Sequence, residues 1–221
     1  MLTLVREVRV SFGERSVSAS VHGEGPTSVV LGPGAGGTRL TPLLLRVAEA
    51  VAASGRSAVL YNFPYSEAGR RAPDPPELLE STARAMADFA RGELLARRLV
   101  LGGKSMGGRI ASQAVAKGTS ADGLLFLGYP LHPPGKPEQR REAHLPALTT
   151  PMLFVQGTRD AFARFDLLEA LLQRLGDRAR LFRVEGGDHS FAVPRSSGRA
   201  RSEVEEDIAR AVLRWLEEQR L

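Results

Sequence analysis

The chain has 221 residues, 43% of them apolar, with no cysteine, so it is long enough to bury a core unaided, and disulfides and thiolate metal sites are excluded. Its net charge of +5 rests on 27 arginines among 30 basic residues, interspersed with acids as in Glu203-Val-Glu-Glu-Asp-Ile-Ala-Arg210. That pattern reads as an ion-paired, solvated surface rather than a nucleic-acid site, and no apolar stretch reaches the roughly 18 residues of a membrane helix.

The N-terminus reads as a hairpin. Val8, Val10 and Phe12 alternate with Arg9 and Ser11, and Val17, Ala19 and Val21 alternate with Ser18 and Ser20, with Gly13-Glu14-Arg15 as the turn. Alternation implies one wet face, which suits an antiparallel edge. Short apolar runs follow: Ser28 to Leu31, Ser57 to Tyr61, Leu99 to Leu101, Leu124 to Leu127, Met152 to Val155 and Arg180 to Val184. Near-continuous apolar runs suit strands buried on both faces of a parallel sheet. Between them lie helical stretches at Leu40 to Ala53, Pro76 to Ala96, Met106 to Lys117 and Phe165 to Leu175, with Val204 to Leu221 last. Ser202 and Glu205 are expected to cap that last helix, whose apolar stripe is Val204, Ile208, Val212 and Trp215. The expected architecture is one α/β domain over 1–221, a mostly parallel sheet of about eight strands with an N-terminal hairpin and helices on both faces. The stretches Pro64 to Pro76 and Tyr129 to Pro151 read as loops that could roof a pocket, and neither is long enough for a large lid. Arg6 and Arg9 interrupt Met1 to Val10, which does not read as a secretion signal, so the expected location is the cytoplasm.

Two glycine-rich loops carry the chemistry. Gly103-Lys-Ser-Met-Gly107 lies between a strand and a helix, where G-x-S-x-G forms a nucleophile elbow: the turn is so tight that glycines must flank the serine. Gly103-Lys104-Ser105 also ends like a phosphate-binding loop, but that motif needs glycine where Arg98 stands. Gly32-Pro-Gly-Ala-Gly-Gly37 formally matches a dinucleotide fingerprint, yet the next strand ends at Tyr61-Asn62-Phe63 without the acid that would bind ribose. The other use of this loop is an oxyanion hole, formed by main-chain N–H groups near Ala35 and Gly36 together with that of Met106.

A serine hydroxyl needs a base, and the base needs an orienting acid. For an elbow serine the chain order is serine, acid, histidine. Of the four histidines, His22 precedes the elbow, and His132 and His144 come too early to follow an acid on the next strand. His189, just after the last strand, is the expected base. Asp160, on the loop after Met152 to Val155, is the expected acid. Asp188 is its nearest rival, and Asp166 belongs to the following helix. No metal or cofactor is expected.

These residues resemble a family. The chain is similar to the α/β-hydrolase-like proteins grouped with a testis-expressed protein and a subunit of a histone-acetyltransferase complex, distant relatives of dienelactone hydrolases and small carboxylesterases. The resemblance spans nearly the whole chain. It rests on Pro33-Gly-Ala-Gly-Gly37, Asn62-Phe-Pro-Tyr-Ser-Glu-Ala-Gly-Arg-Arg71, Gly103-Lys-Ser-Met-Gly-Gly-Arg109, Gly128-Tyr-Pro-Leu-His-Pro-Pro-Gly-Lys-Pro137 and Gly187-Asp-His-Ser-Phe191. It implies the α/β-hydrolase fold, with Ser105, Asp160 and His189 as the triad. The family's first glycine loop often begins His-Gly, where this chain has Pro33-Gly34.

Asn62, Tyr65 and Arg70 follow a strand end, where ligand sites gather in open α/β sheets, and His132 and Lys136 lie on a loop at the same end. They are candidates for substrate binding; the alternative is that they fix two irregular loops. Arg109 is expected to pair with an acid such as Glu67. The leading expectation is a serine hydrolase acting on a small ester or thioester. The alternative is a non-catalytic binding or scaffold module, because the resembled family includes members with non-enzymatic roles.

Overall fold

The computed structural model describes residues 4–221, so the first three residues of the Met1–Val10 segment lie outside the described residues. Its centre is an eight-stranded sheet in the order β1-β2-β4-β3-β5-β6-β7-β8. The hairpin β1 (Val5–Phe12) and β2 (Arg15–His22) turns at Gly13, which takes a left-handed φ of +55°. Strand β2 then pairs antiparallel with β4 (Ser57–Tyr61). From there the sheet is parallel through β3 (Thr27–Gly32), β5 (Arg98–Lys104), β6 (Gly123–Leu127), β7 (Met152–Gly157) and β8 (Ala179–Val184). Strands β3, β4, β6 and β7 are buried along their whole length, as their unbroken apolar runs require.

Two apolar layers cover the sheet. Helices α1 (Pro42–Ala53) and α6 (Arg201–Glu218) pack together on one face, through Leu44, Val47 and Val51 and through Ile208, Val212 and Trp215. Helices α3 (Pro76–Gly92), α4 (Met106–Ala116) and α5 (Phe165–Leu175) cover the other face.

Four local expectations change. Helix α3 ends at Gly92, short of Ala96, and Leu95 turns the chain with φ of +53°. Helix α6 begins at Arg201, earlier than Val204. Its first turn is closed by Glu203, which accepts the Ala200 N–H at 2.7 Å, so Ser202 and Glu205 are not its cap. Within Pro64 to Pro76 a short helix forms, α2 (Pro64–Glu67). The stretch Tyr129 to Pro151 folds back onto the core: Tyr129, Leu131 and Leu145 are fully buried, and the Tyr129 hydroxyl donates to Arg141 O at 2.9 Å.

The order of strands fixes where a site can form. The chain leaves β3 toward β4 on one side and returns through β5 on the other, so the loops at the ends of β3 and β5 part there and leave a crevice. The two glycine loops flank it.

Candidate active site

Ser105 sits between β5 and α4 with φ of +50°, a left-handed conformation that costs a non-glycine residue about 1–3 kcal/mol and persists only where the surroundings enforce it. The neighbouring glycines explain how. A Cβ on Gly103 or on Gly107 would collide with the Gly32 carbonyl oxygen, so only glycine lets β5 and α4 approach β3. The serine is thereby lifted to the N-terminus of α4.

The three chain-distant residues meet. His189 Nε2 lies 2.8 Å from Ser105 Oγ, and His189 Nδ1 lies 2.8 Å from Asp160 Oδ2. The Asp160 side chain is wholly buried. Its Oδ1 accepts the Phe162 N–H at 2.8 Å, and Oδ2 also accepts from Gln156 Nε2 at 2.5 Å. A buried carboxylate with several donors is fixed in place. Phe162 stacks on the imidazole, with ring centroids 4.1 Å apart. Asp188, the rival acid, accepts the N–H groups of Ser190 and Ala192 and so closes its own turn. Asp166 pairs with Arg164 on the surface. The remaining histidines are engaged elsewhere: His22 with Ser20 in β2, and His144 with Ser112 on α4.

The first glycine loop is held from one side by the segment after β4. The Tyr65 hydroxyl accepts the Gly36 N–H at 3.0 Å and lies 3.4 Å from Gly34 O. Ser66 Oγ donates to Gly37 O, and Asn62 Oδ1 accepts the Arg39 N–H at 2.8 Å. This corrects the expectation for Gly36, whose N–H is taken by Tyr65. The N–H of Ala35 has no acceptor among the described residues, and Met106, first in α4, has none within its helix.

Most of the candidate binding residues are bracing instead. Tyr65 is completely buried, and its burial raises the pKa of its phenol. Asn62 Nδ2 donates to Glu67, whose carboxylate also receives the N–H and hydroxyl of Ser18. Those donors hold the Glu67 carboxyl below the usual range against the effect of burial. Arg70 pairs with the buried Asp74 at 2.5 Å, and Asp74 accepts the Tyr65 N–H. His132 is buried: Nδ1 donates to Pro133 O, and Nε2 accepts the Arg164 N–H at 2.9 Å, which ties it to the loop carrying Asp160. Lys136 is exposed on the turn begun by Pro133. Arg109 does not meet Glu67; its guanidinium reaches Gln113 on its own helix.

Sequence reasoning passed over Gln156 and Phe162. The first had a signal, a polar residue at the end of a buried apolar strand and four residues before the acid. Phe162 had none, because stacking on a residue 27 positions away depends on the fold.

The model of the alpha/beta hydrolase domain family matches residues 25–217. The chain belongs to that family. Solved α/β-hydrolase structures share its shape. A dienelactone hydrolase from Anabaena variabilis superimposes with a TM-score of 0.77 at 20% identity, over 98% of each chain. An alpha-beta serine hydrolase homologue from Coxiella burnetii gives 0.76 at 18% identity, over 93% of this chain and 96% of that one. A serine hydrolase without a lid from Xanthomonas campestris gives 0.73 at 19% identity, over 97% and 96%. The fold expected from the sequence is therefore the observed one, and the domain is a hydrolase domain. Among the described residues no helix is long and apolar enough to cross a membrane.

Proposed function

We propose that this chain is a serine hydrolase that cleaves a small carboxylic ester or thioester through an acyl-serine intermediate. The observation that carries the reading is the unbroken relay from Ser105 Oγ to His189 Nε2 and from His189 Nδ1 to Asp160, each step 2.8 Å. His189 takes the Ser105 proton as the oxygen attacks the acyl carbonyl. Asp160 holds the imidazole in the tautomer that leaves Nε2 free, and stabilises the imidazolium. The N–H groups of Ala35 and Met106 receive the developing oxyanion. Collapse expels the alkoxide or thiolate, with the imidazolium supplying a proton. Water, deprotonated by His189, then releases the acid and restores Ser105. A metal or cofactor has no part in these steps.

The substrate is proposed to be a small ester because the described residues include no long insertion that would form a large lid. On its two long loop motifs we also place the chain with the α/β-hydrolases grouped with the testis-expressed protein. The alternative, a scaffold that has retired its site, is disfavoured by the cost of keeping Ser105 strained and the polar side chain of Asp160 buried. Labelling with a fluorophosphonate probe tests the choice. Wild type is expected to label and Ser105→Ala to remain blank; equal labelling of the two, or none of either, would sink the hydrolase reading.

A further inference from the structure

Lys104 is a partly buried cation that the relay does not use. It immediately precedes Ser105, yet its side chain runs under the loop that carries His189. There Nζ donates to the His189 carbonyl oxygen at 2.6 Å and lies 5.4 Å from the centroid of the Phe191 ring. A third strand end meets it. A Cβ on Gly128, just after β6, would come within 3.1 Å of Nζ, and Gly128 has a left-handed φ of +74°. One ammonium thus joins the β5 elbow, the end of β6 and the histidine loop.

The joint has a physical purpose. Phe191 has φ of +62°, so the histidine loop, like the elbow, carries a strained non-glycine residue. Such conformations persist only when neighbouring contacts over-determine them. Asp188 closes the turn from within, but that alone does not set its distance from the elbow. Lys104 does, because its backbone is continuous with Ser105 and its tip grips the His189 main chain. Burial pushes the Lys104 pKa down to about 8 against the pull of Asp160 and Asp188, so holding the ammonium here works against folding.

We propose that Lys104 is a positioning residue that holds the His189 imidazole in register with Ser105 by anchoring the His189 carbonyl. The inference rests on the serine-hydrolase reading. It assigns opposite signs to stability and activity, which a packing role would not. Lys104→Met keeps the stem and removes both charge and donor. Its melting temperature at pH 7 is expected to equal or exceed that of wild type, while fluorophosphonate labelling slows at least tenfold. With a p-nitrophenyl acetate substrate, kcat falls by a similar factor and KM changes less than twofold. Proton NMR gives a readout independent of turnover: the low-field resonance of the His189 Nδ1 proton, sharp in wild type, broadens or shifts upfield in the variant. Should the Met variant fail to fold, Lys104→Gln, whose shorter amide does not reach the carbonyl, is read by the same criteria. Labelling within twofold of wild type together with an unchanged low-field resonance overturns the inference and leaves the hydrolase reading intact. Absence of labelling in wild type itself defeats the hydrolase reading, and the resonance alone then decides whether Lys104 positions His189.

Discussion

Ser105 and Asp160 are placed by opposite means. Ser105 is forced into position by sterics, since glycines on both sides leave the backbone no other path. Asp160 is held by hydrogen bonds from Gln156, Phe162 and His189 to a side chain with no access to water. Replacing it by Asn would keep the shape and offer the imidazole a donor where it needs an acceptor. Asp160→Asn is therefore expected to fold normally and to lose turnover by a factor on the order of 10⁴, read as kcat on a small ester. Tyr65 acts on the other half of the site. Tyr65→Phe removes the acceptor of the Gly36 N–H without emptying its pocket. The expected result is a stability loss of about 1 kcal/mol and a fall in kcat smaller than the ~10²–10³ of a deleted oxyanion donor. A variant with wild-type kcat would show that the loop holds its shape without the tyrosine.

At the scale of elements, the crossing of β3, β5 and α4 is the feature most sensitive to a single methyl group. Gly107→Ala would place a Cβ against the Gly32 carbonyl and beside Pro33 O. Helix α4 would have to move away from the sheet, carrying Ser105 and the Met106 N–H with it. Thermal denaturation is expected to show a loss of 1–3 kcal/mol or more, the usual range for overpacking, with fluorophosphonate labelling abolished even in the folded fraction. Gly118→Ala makes a useful control: its left-handed turn after α4 also strains an alanine, but a Cβ there meets nothing. It should lose stability while retaining labelling.

Across the whole molecule, the response to pH combines groups of both signs. Glu67 and Asp122 have carboxyl pKa values lowered in the fold by their hydrogen bonds and nearby arginines, in spite of burial. Their contribution is present above their unfolded values of 4.5 and 3.8 and is lost as pH falls through the folded ones. Lys104 works the other way. Its folded value of about 8 lies below the ordinary 10.5, so between these values the unfolded chain binds more protons and stability rises with pH. The rise should total up to about 3 kcal/mol. Denaturant titrations from pH 7 to 10.5 should show it in wild type and not in Lys104→Met; a flat wild-type profile would contradict the burial of the charge.

The sequence by itself determined the sheet, the two glycine loops and the order of Ser105, Asp160 and His189, because these are written locally. Apolar runs, flanking glycines and position relative to a strand end each need only a few neighbouring residues. Tertiary structure alone decided what the unusual motifs do. Asn62, Tyr65, Arg70 and His132 are polar residues at strand ends, a pattern equally suited to binding a ligand and to bracing a loop. Only their partners distinguish the two: Asp74 four residues on for Arg70, and groups brought from 23 to 32 positions away for the other three. The same holds for Lys104. Its neighbours in the chain belong to the elbow, but its hydrogen bond lies 85 residues downstream, where burial gives a charge its effect.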